Sequence, residues 1–262
     1  MEILLFDDGS EEPSRIANRK WREHPLVGYR EMGRNIGRAA IRNKLAQEAK
    51  GEYCLFLDND SELVKPDFLE TYWRYHQAAP VICGGRVYPA SPPAENQVLH
   101  WLYGSRREVR NLTERRRKPA HGFQSNNFMI RRSLFQQIGF AEALSGYGHE
   151  DTLFGMELHR RKLEVLHIDN PVKHGSLESN ADFLSKTKEG LTNLLLIEEK
   201  FQPQPGFFPL LEKSRRLAFV PGALRKPLAG KICASLEKIL VKNPGLSAFD
   251  AFRLFYLLKE MA

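Results

Sequence analysis

Cysteine and long apolar runs are both scarce in this sequence. Its three cysteines, Cys54, Cys83 and Cys233, are odd in number and lack the spacing of a metal site. The sequence therefore excludes a disulfide scaffold and fits buried thiols in a reducing cytoplasm. No run approaches the roughly 18 apolar residues of a membrane-spanning helix. The N-terminal residues have neither the basic start nor the cleavage site of a secretory signal, so we expect a cytoplasmic protein.

The positive charge is concentrated near the C-terminus. Of a formal net charge of +7, residues 200–262 hold 11 Lys and Arg against 4 Asp and Glu, whereas the first 199 residues hold 28 of each. Residues 232–241 and 246–260 are amphipathic stretches with interleaved basic residues, which predict peripheral contact with anionic lipid head groups. Packing of these helices on the body of the protein is an equal alternative. No recognition motif accompanies the charge, so nucleic acid is not an expected partner.

Residues 53–60 combine an apolar run with two carboxylates. The run Tyr-Cys-Leu-Phe-Leu predicts a strand buried on both faces, and Asp58 and Asp60 follow at its carboxyl end. Ligands bind at such strand ends, and side chains two residues apart on a strand point the same way. Two converging carboxylates suit Mg²⁺ or Mn²⁺. A solvated turn is the plainer alternative, and for an isolated Asp-x-Asp it is favoured.

Similar polar positions occur earlier in the chain. Residues 2–6 predict an apolar strand that runs into Asp8, where a simple turn or a helix cap is the structural alternative. Residues 36–50 predict a helix with small residues for close packing, closed by Gly51. Arg42 lies in the middle of that helix, where it points either into a site or to solvent.

The second half of the chain contributes three further candidates. Glu150 and Asp151 follow a Gly-Tyr-Gly-His loop at the start of a helix predicted over about residues 151–162, where capping is their plain role. His174 follows a strand predicted over residues 164–168 and on its own suggests an ordinary surface histidine.

Residues 86–124 are predicted to be a long irregular segment. They are rich in proline, arginine and aromatic residues, and long loops on a rigid scaffold are usually functional or disordered. Trp101 within this segment is a candidate for stacking on a sugar ring. A mobile basic loop is an equally good interpretation.

The order of these motifs is more specific than any one of them. The motifs are Phe-Asp-Asp-Gly-Ser (6–10), Asn-x-Gly-x-Ala-x-x-Arg-Asn (35–43), Gly-Glu-Tyr-x-x-Phe-Leu-Asp-x-Asp (51–60), Asn-Phe-x-Ile-Arg-Arg (127–132), Gly-Tyr-Gly-x-Glu-Asp (146–151) and His174. Together they resemble the family 2 glycosyltransferases of GT-A fold over roughly residues 1–175.

The resemblance implies a fold and a domain division. It implies an α/β protein with a mixed, mostly parallel sheet flanked by helices and a Rossmann-like nucleotide half. The expected glycosyltransferase domain is residues 1–200, with a nucleotide half of about 1–80 and an acceptor half of about 81–175. Residues 201–262 are then a basic helical extension.

The resemblance also implies roles at the donor side of a site. Asp8 would contact the uracil of a nucleotide-sugar, and Arg42 would be a further donor contact. Asp58 would lie near the nucleotide, sugar and metal, with Asp60 on the metal. His174 would be an additional ligand of the metal or of the diphosphate. The metal would be Mn²⁺ or Mg²⁺.

At the acceptor side, the resemblance makes Asp151 the catalytic base, with Glu150 beside it. Asn127 and Trp101 complete the predicted substrate contacts. A divalent cation would neutralise the leaving diphosphate, and a carboxylate would accept the proton of the incoming hydroxyl. A carboxylate at a helix N-terminus would tend to stay ionised, as a base must.

The implied function is metal-dependent transfer of a sugar from a nucleotide-sugar, UDP-linked, to a hydroxyl of a glycan or lipid-linked acceptor. Inversion follows from the family, and the implied setting is surface polysaccharide or glycolipid synthesis at the inner face of the membrane. A catalytically impaired assembly partner at the membrane and a nucleotidyltransferase are the alternatives. Nucleotidyl transfer would use the Asp58–Asp60 pair but gives no reason for the Glu150–Asp151 loop.

One departure from the family pattern concerns the start of the chain. Family members carry a strand and a helix before the Asp-Asp-Gly-Ser strand, whereas this sequence begins at that strand. We therefore expect a truncated or mis-started chain that binds nucleotide poorly. The strands at residues 2–6 and 53–57 should either pair directly or leave a gap.

Overall fold

Strands and helices alternate up to about residue 174, and helices follow. The structure is a computed structural model that describes residues 1–144, 146–218 and 221–261. The strands are β1 (Ile3–Asp7), β2 (Val27–Glu31), β3 (Tyr53–Leu57), β4 (Ser61–Leu63), β5 (Val81–Cys83), β6 (Arg86–Val87), β7 (Asn127–Arg131), β8 (Val165–His167) and β9 (Val172–His174). The predicted α/β architecture is confirmed.

The helices vary from one turn to more than five. They are α1 (Glu12–Asn18), α2 (Arg38–Glu48), α3 (Phe68–Tyr75), α4 (Val98–Tyr103), α5 (Leu112–Arg117), α6 (Arg132–Ile138), α7 (Glu150–Arg160), α8 (Asn180–Lys200), α9 (Pro209–Leu217), α10 (Gly222–Lys242) and α11 (Leu246–Glu260). Short 3₁₀ turns lie at residues 19–23, 95–97 and 120–122, and a π-helical turn lies at residues 104–108.

The sheets are mixed, and parallel pairings do not predominate in them. A four-stranded sheet has the order β3-β7-β5-β8, a three-stranded sheet has the order β4-β9-β6, and β1 pairs with β2. The β1–β2, β5–β8 and β6–β9 pairs are parallel, whereas β3–β7, β5–β7 and β4–β9 are antiparallel. Antiparallel pairings are as common as parallel ones in part because β7 runs antiparallel to both of its neighbours, β3 and β5.

Strands β1 and β3 do not pair with each other in the described residues. Of the two outcomes expected from the sequence, the structure has the gap. A carboxylate links the starts of the two strands, because Glu2 accepts hydrogen bonds from the backbone amides of Lys50 (2.6 Å) and Gly51 (3.1 Å). This contact lies just before β3 and ties the starts of the two strands together.

Residues 86–124 are more ordered than the sequence predicts. They contain α4, α5 and the π-helical turn. At the start of α5, Asn111 and Glu114 form a reciprocal capping box, with bonds of 2.9 and 3.1 Å between each side chain and the other residue's amide. Leu99 in α4 is fully buried, which anchors that helix in the core. Capping and burial replace the expected irregular loop with short helices.

Phenylalanine dominates the core beneath the four-stranded sheet. Phe56 on β3 and Phe128 on β7 stack with ring centroids 4.8 Å apart, and Phe135 of α6 lies 4.8 Å from Phe56. Phe140 and Phe154 continue this cluster. Packed aromatic pairs of this kind contribute about 0.5–1.5 kcal/mol each beyond their buried area. The cluster fixes the end of β3 relative to α7.

The C-terminal helices pack on the body of the protein through one face. Phe249 and Phe252 of α11 join Phe183 of α8, Leu99 of α4 and Cys233 of α10 in a buried cluster. The three cysteines are buried and unpaired, and burial raises the pKa of the Cys83 thiol to about 12. Within the described ranges, every helix falls short of the length or the apolarity that a bilayer crossing requires.

The packing of α11 can be tested with a matched pair of leucines. Leu257 is fully buried, whereas Leu228 on α10 is 62% exposed. Leu257→Ala should lower the free energy of unfolding by about 2–5 kcal/mol, because it leaves a cavity in the core. Leu228→Ala should change it by less than about 0.5 kcal/mol. Urea denaturation followed by circular dichroism measures both, and equal effects would contradict the packing of α11 on the body.

Candidate active site

A cavity of about 280 Å³ opens at the carboxyl end of β3 and the start of α7. Segments from both halves of the chain line it, including α2, the π-helical turn, residues 121–125, α8 and α11. Its charged lining comprises eight Lys and Arg side chains and four Asp and Glu side chains: Arg38, Arg42, Arg86, Arg107, Arg110, Arg115, Lys186 and Arg253, with Asp58, Glu108, Glu150 and Asp151. The cavity is therefore suited to an anionic ligand.

Arg42 joins the two carboxylate groups of this cavity. Its guanidinium donates to Asp58 at 2.6 Å and lies 3.7 Å from Glu150, while Arg38 lies 3.9 Å from the same Glu150 oxygen. Arg42 is only 9% exposed, because α2 packs its small residues Ala39 and Ala46 into the core. The structure thus brings three residues that the sequence singled out, Arg42, Asp58 and Glu150, into one network.

Asp60 and His174 form a second cluster just beyond Asp58. The pairing of β4 with β9 places Ser61 opposite His174, and the Nδ1 atom of His174 lies 3.3 Å from Oδ2 of Asp60. Burial is the largest single effect on Asp60 and opposes its charge, but the hydrogen bond from His174 and the charges of His174 and Arg86 together outweigh it and lower the pKa of the carboxyl. The other oxygen of Asp60 is buried and has no hydrogen-bond partner in the described part of the chain.

No complete metal cage is preformed. Among the described residues, no group of three or more His, Cys, Asp and Glu side chains has the spacing to hold a metal ion. Asp60 and His174 are close together, and Asp58 has one oxygen bound to Arg42. Two convergent ligands are therefore in place among the described residues, and further ligands would come from Asp58, substrate or water.

Asp151 lies in the first turn of α7, where its environment tunes its acidity. Its carboxylate accepts a hydrogen bond from the amide of Thr152 (2.8 Å). Burial, and then the neighbouring charge of Glu150, raise the pKa of Asp151 to about 6. The sequence predicts an ionised carboxylate here on account of the helix N-terminus. The structure adds an opposing effect, so that Asp151 is ionised only above about pH 6.

The residue that precedes this pair has an unusual backbone. His149 caps α7 in the left-handed region with φ of 73°, a conformation that costs a non-glycine residue roughly 1–2 kcal/mol. Burial lowers the pKa of His149 to about 4, so its ring is neutral at pH 7. Strain of this kind is common in active-site loops. The first turn of α7, which follows His149 directly, lines the cavity.

Asp8 and Asn127 have structural partners outside the cavity lining. Asp8 accepts hydrogen bonds from the amides of Ile36 (2.7 Å) and Gly37 (3.0 Å), which fixes the start of α2. The Asn127 amide donates to the carbonyls of Gly85 and Asn170, both at 2.9 Å, and its oxygen accepts from the Tyr72 hydroxyl at 2.6 Å. Asn127 is 1% exposed. The side chain of Asn127 holds strand ends together and lies outside the cavity lining, and its substrate contact stays a prediction.

Trp101 is also absent from the cavity lining. Its indole donates to the carbonyl of Pro89 (2.8 Å), and its ring is partly buried on α4. The stacking of Trp101 on a sugar stays a prediction. The helix α4 turns this side chain toward residues 89–90 instead of the cavity.

Several residues that line the cavity are not predicted from the sequence. Arg86 donates to Glu108 (2.8 Å), and the Tyr88 hydroxyl donates to the same carboxylate (2.6 Å). Arg86 follows Gly84-Gly85 after the end of β5. Asp8 and Asp58 also follow the ends of strands, so this position is the sequence signal that identifies Arg86 as a candidate. Lys186 and Arg253 carry no local signal, since only the packing of α8 and α11 brings them to the cavity.

Comparisons with known proteins identify the family. The sequence pattern described as "Glycosyl transferase family 2" matches residues 1–139, just over half of the chain. Comparison with curated proteins gave no match. One similar solved structure is the mannosyltransferase PcManGT from Pyrobaculum calidifontis, in complex with GDP-Man and Mn²⁺. It is 16% identical, with a TM-score of 0.58 over 98% of this chain and 76% of that chain.

A second similar structure is that of GalNAc-T7 with UDP, GalNAc and Mn²⁺. It is 17% identical, with a TM-score of 0.55 over 82% of this chain and 44% of that chain. At identities of 16% and 17% the two structures are evidence for the fold alone, and they agree with the mixed α/β architecture seen here. With the family pattern covering residues 1–139, the chain belongs to glycosyl transferase family 2 and is a glycosyltransferase of GT-A fold.

Proposed function

We propose that the protein transfers a sugar from a UDP-linked donor to a hydroxyl of a glycan or lipid-linked acceptor, with inversion, in surface polysaccharide or glycolipid synthesis. The observation that carries this proposal is the network in which Arg42 joins Asp58, at the end of β3, to Glu150 beside Asp151. It links a donor-side carboxylate to a base-side pair within one cavity. In a glycosyltransferase, donor and acceptor must meet in such a place.

Asp60, His174 and the free oxygen of Asp58 would hold Mn²⁺ or Mg²⁺. The fit rests on the buried oxygen of Asp60 that lacks a hydrogen-bond partner, and on the imidazole nitrogen 3.3 Å from the same carboxylate. Magnesium is usually held by one or two carboxylates together with substrate phosphates and waters, so a small protein ligand set is adequate. When bound, the cation supplies Lewis-acid stabilisation of the leaving diphosphate.

Residues of α2 would position the donor. Arg42 is held by two carboxylates, so its guanidinium has a fixed orientation from which to meet a phosphate oxygen. One of its nitrogens, Nη1, has no hydrogen-bond partner in the described residues. Asp8 is proposed to lie at the nucleotide end, where it also fixes the start of α2 through two backbone amides.

Asp151 would act as the base that removes the proton from the acceptor hydroxyl. With a pKa of about 6, its carboxylate is ionised at pH 7 yet retains more basicity than an ordinary aspartate. Glu150 is bound by Arg42 and Arg38 and raises the pKa of its neighbour through its charge. Two adjacent carboxylates thus have different roles, one paired with arginine and one available for proton transfer.

The exposed face of α10 is proposed to bind an anionic membrane at its inner surface. Leu224 and Leu228 are 69% and 62% exposed, and Lys231, Lys238 and Lys242 continue the same face. Apolar side chains flanked by lysines match the charge and the apolar boundary of a bilayer surface. Such contact would bring a lipid-linked acceptor close to the enzyme.

Two substitutions separate metal-dependent turnover from base catalysis. Release of nucleoside diphosphate is followed with a panel of nucleotide-sugars and Mn²⁺. Asp60→Ala should abolish metal-dependent turnover. Asp151→Asn should lower kcat by about 10²-fold or more while leaving donor affinity unchanged, because it removes only the proton acceptor. Glu62→Ala, which removes an exposed carboxylate on β4 that pairs with Lys173, is the matched control and should have little effect. Full activity of both site variants would contradict the assignment.

The acid limb of the pH–rate profile should lie near pH 6. Asp151 must be deprotonated to act, so activity is present above its pKa and lost as the pH falls through about 6. Since Glu150 raises this pKa, Glu150→Gln should move the limb to lower pH. Glu157→Gln, at the other end of α7, should leave it in place. Profiles of kcat against pH for the three proteins make the comparison, and an unmoved limb in Glu150→Gln would argue against the coupling.

Binding to vesicles tests the membrane face. The protein should co-sediment with vesicles that contain phosphatidylglycerol and not with phosphatidylcholine alone. Replacing Lys231 and Lys238 by glutamine should weaken binding by about 2 kcal/mol, at about 1 kcal/mol for each lysine. The double variant Lys20→Gln, Lys50→Gln removes the same charge far from α10 and is the control. Equal losses in the two double variants would point to net charge instead of this face.

A further inference from the structure

One wall of the cavity carries more positive charge than its carboxylates balance. Arg107 and Arg110, in the π-helical turn and the loop after it, line this wall together with Arg253 of α11. Asp250 accepts a hydrogen bond from Arg107 at 2.8 Å and lies 3.7 Å from Arg253. Within the described residues Arg110 has no carboxylate partner and donates to the carbonyl of His121 at 3.2 Å. Two of these guanidinium groups therefore share the carboxylate of Asp250, and the third has no carboxylate partner among the described residues.

This wall lies on the side of the catalytic base. The Arg253 guanidinium stands 5.4 Å from the ring centre of Tyr103, and the charges of both Arg253 and Asp151 act on that tyrosine. The charge of Arg253 also reaches His149, two residues before Asp151. Arg42 lines the cavity near Asp58 and differs from these arginines, because Asp58 and Glu150 already balance its charge. The excess positive charge is thus separate from the donor contacts proposed above.

Arginine clusters of this kind are suited to phosphate. The planar guanidinium presents paired donors that match phosphate oxygens, and a phosphomonoester carries about −1.5 to −2 charges at pH 7. That charge would offset the excess of two on this wall. A neutral acceptor would leave Arg107 and Arg253 sharing Asp250, and Arg110 without a carboxylate among the described residues.

We infer that the acceptor carries a phosphate group, which Arg107, Arg110 and Arg253 bind beside the hydroxyl that Asp151 deprotonates. The inference rests on the proposed function and adds the chemical class of the acceptor. The phosphate could belong to a soluble phosphorylated alcohol or polymer, or to a lipid head group. In both cases the C-terminal helix α11 takes part in acceptor recognition through Arg253.

Binding of inorganic phosphate tests the inference without requiring turnover. The full chain is first saturated with UDP and Mg²⁺, whose binding is itself a readout of the donor site, and phosphate is then titrated by calorimetry. Arg253→Gln and Arg107→Gln should each raise the Kd for phosphate by about tenfold, as loss of a charge-assisted hydrogen bond implies. Arg216→Gln removes an equal charge from the exposed surface of α9 and should leave the Kd unchanged.

Two results of this titration would overturn the inference. One is phosphate binding that weakens in Arg42→Gln but not in Arg253→Gln, since the ion would then occupy the donor end. The other is phosphate binding that is undetectable, or equal in all variants. Failure of UDP to bind would count against the proposed donor instead, so the two failures are distinguishable.

Matched acceptors identify the source of the phosphate. Turnover is compared for glycerol 3-phosphate against glycerol, and for vesicles of phosphatidylglycerol against vesicles that contain monoacylglycerol. We expect the phosphorylated member of at least one pair to have a kcat/KM about tenfold higher, and Arg253→Gln to remove the preference. A preference in the first pair indicates a soluble acceptor, and one in the second a lipid. Faster turnover of the neutral members would overturn the inference.

Discussion

The buried guanidinium of Arg42 holds the site together. It bonds to Asp58 at 2.6 Å and lies 3.7 Å from Glu150, so one side chain ties α2, the end of β3 and the start of α7. A buried ion pair adds little net stability compared with apolar packing, but removing one partner leaves an uncompensated charge that costs about 3–5 kcal/mol. The network is therefore better understood as fixing geometry. It makes the position of the first turn of α7 depend on Asp58 at the end of β3.

The same network explains how adjacent carboxylates acquire different chemistry. Glu150 is 8% exposed and lies 3.7 and 3.9 Å from the guanidinium groups of Arg42 and Arg38. Asp151 has no such partner among the described ion pairs, and burial beside Glu150 raises its pKa to about 6. Environment thus gives two adjacent carboxylates different acidity and different partners, as the proposed division of roles requires. The left-handed backbone of His149 makes this arrangement possible, because it starts α7 with both carboxylates in the first turn.

Local signals predicted the parts of the site that depend on strand ends and helix starts. The apolar run of β3 followed by Asp58 and Asp60, and the glycine loop before Glu150, place their carboxylates by chain geometry alone. The directions of Asn127 and Trp101 depend on partners far away in the sequence, such as Asn170 and Pro89, and neither side chain lines the cavity. Short helices in residues 86–124 were missed because a capping box and the burial of Leu99 determine them.

The C-terminal charge illustrates how folding redistributes a sequence property. Residues 200–262 hold the whole net charge of +7, which on sequence alone suggests a uniformly basic extension. In the folded chain, Arg225 is buried and donates to the carbonyl of Leu258, Arg215 pairs with Glu198, and Arg253 faces the cavity. The charge that remains on the surface is largely that of the α10 lysines. One basic segment is therefore divided between an outer face and a wall of the active-site cavity. The position of Arg253 in the cavity consequently depends on how firmly α11 packs against α8, α4 and α10.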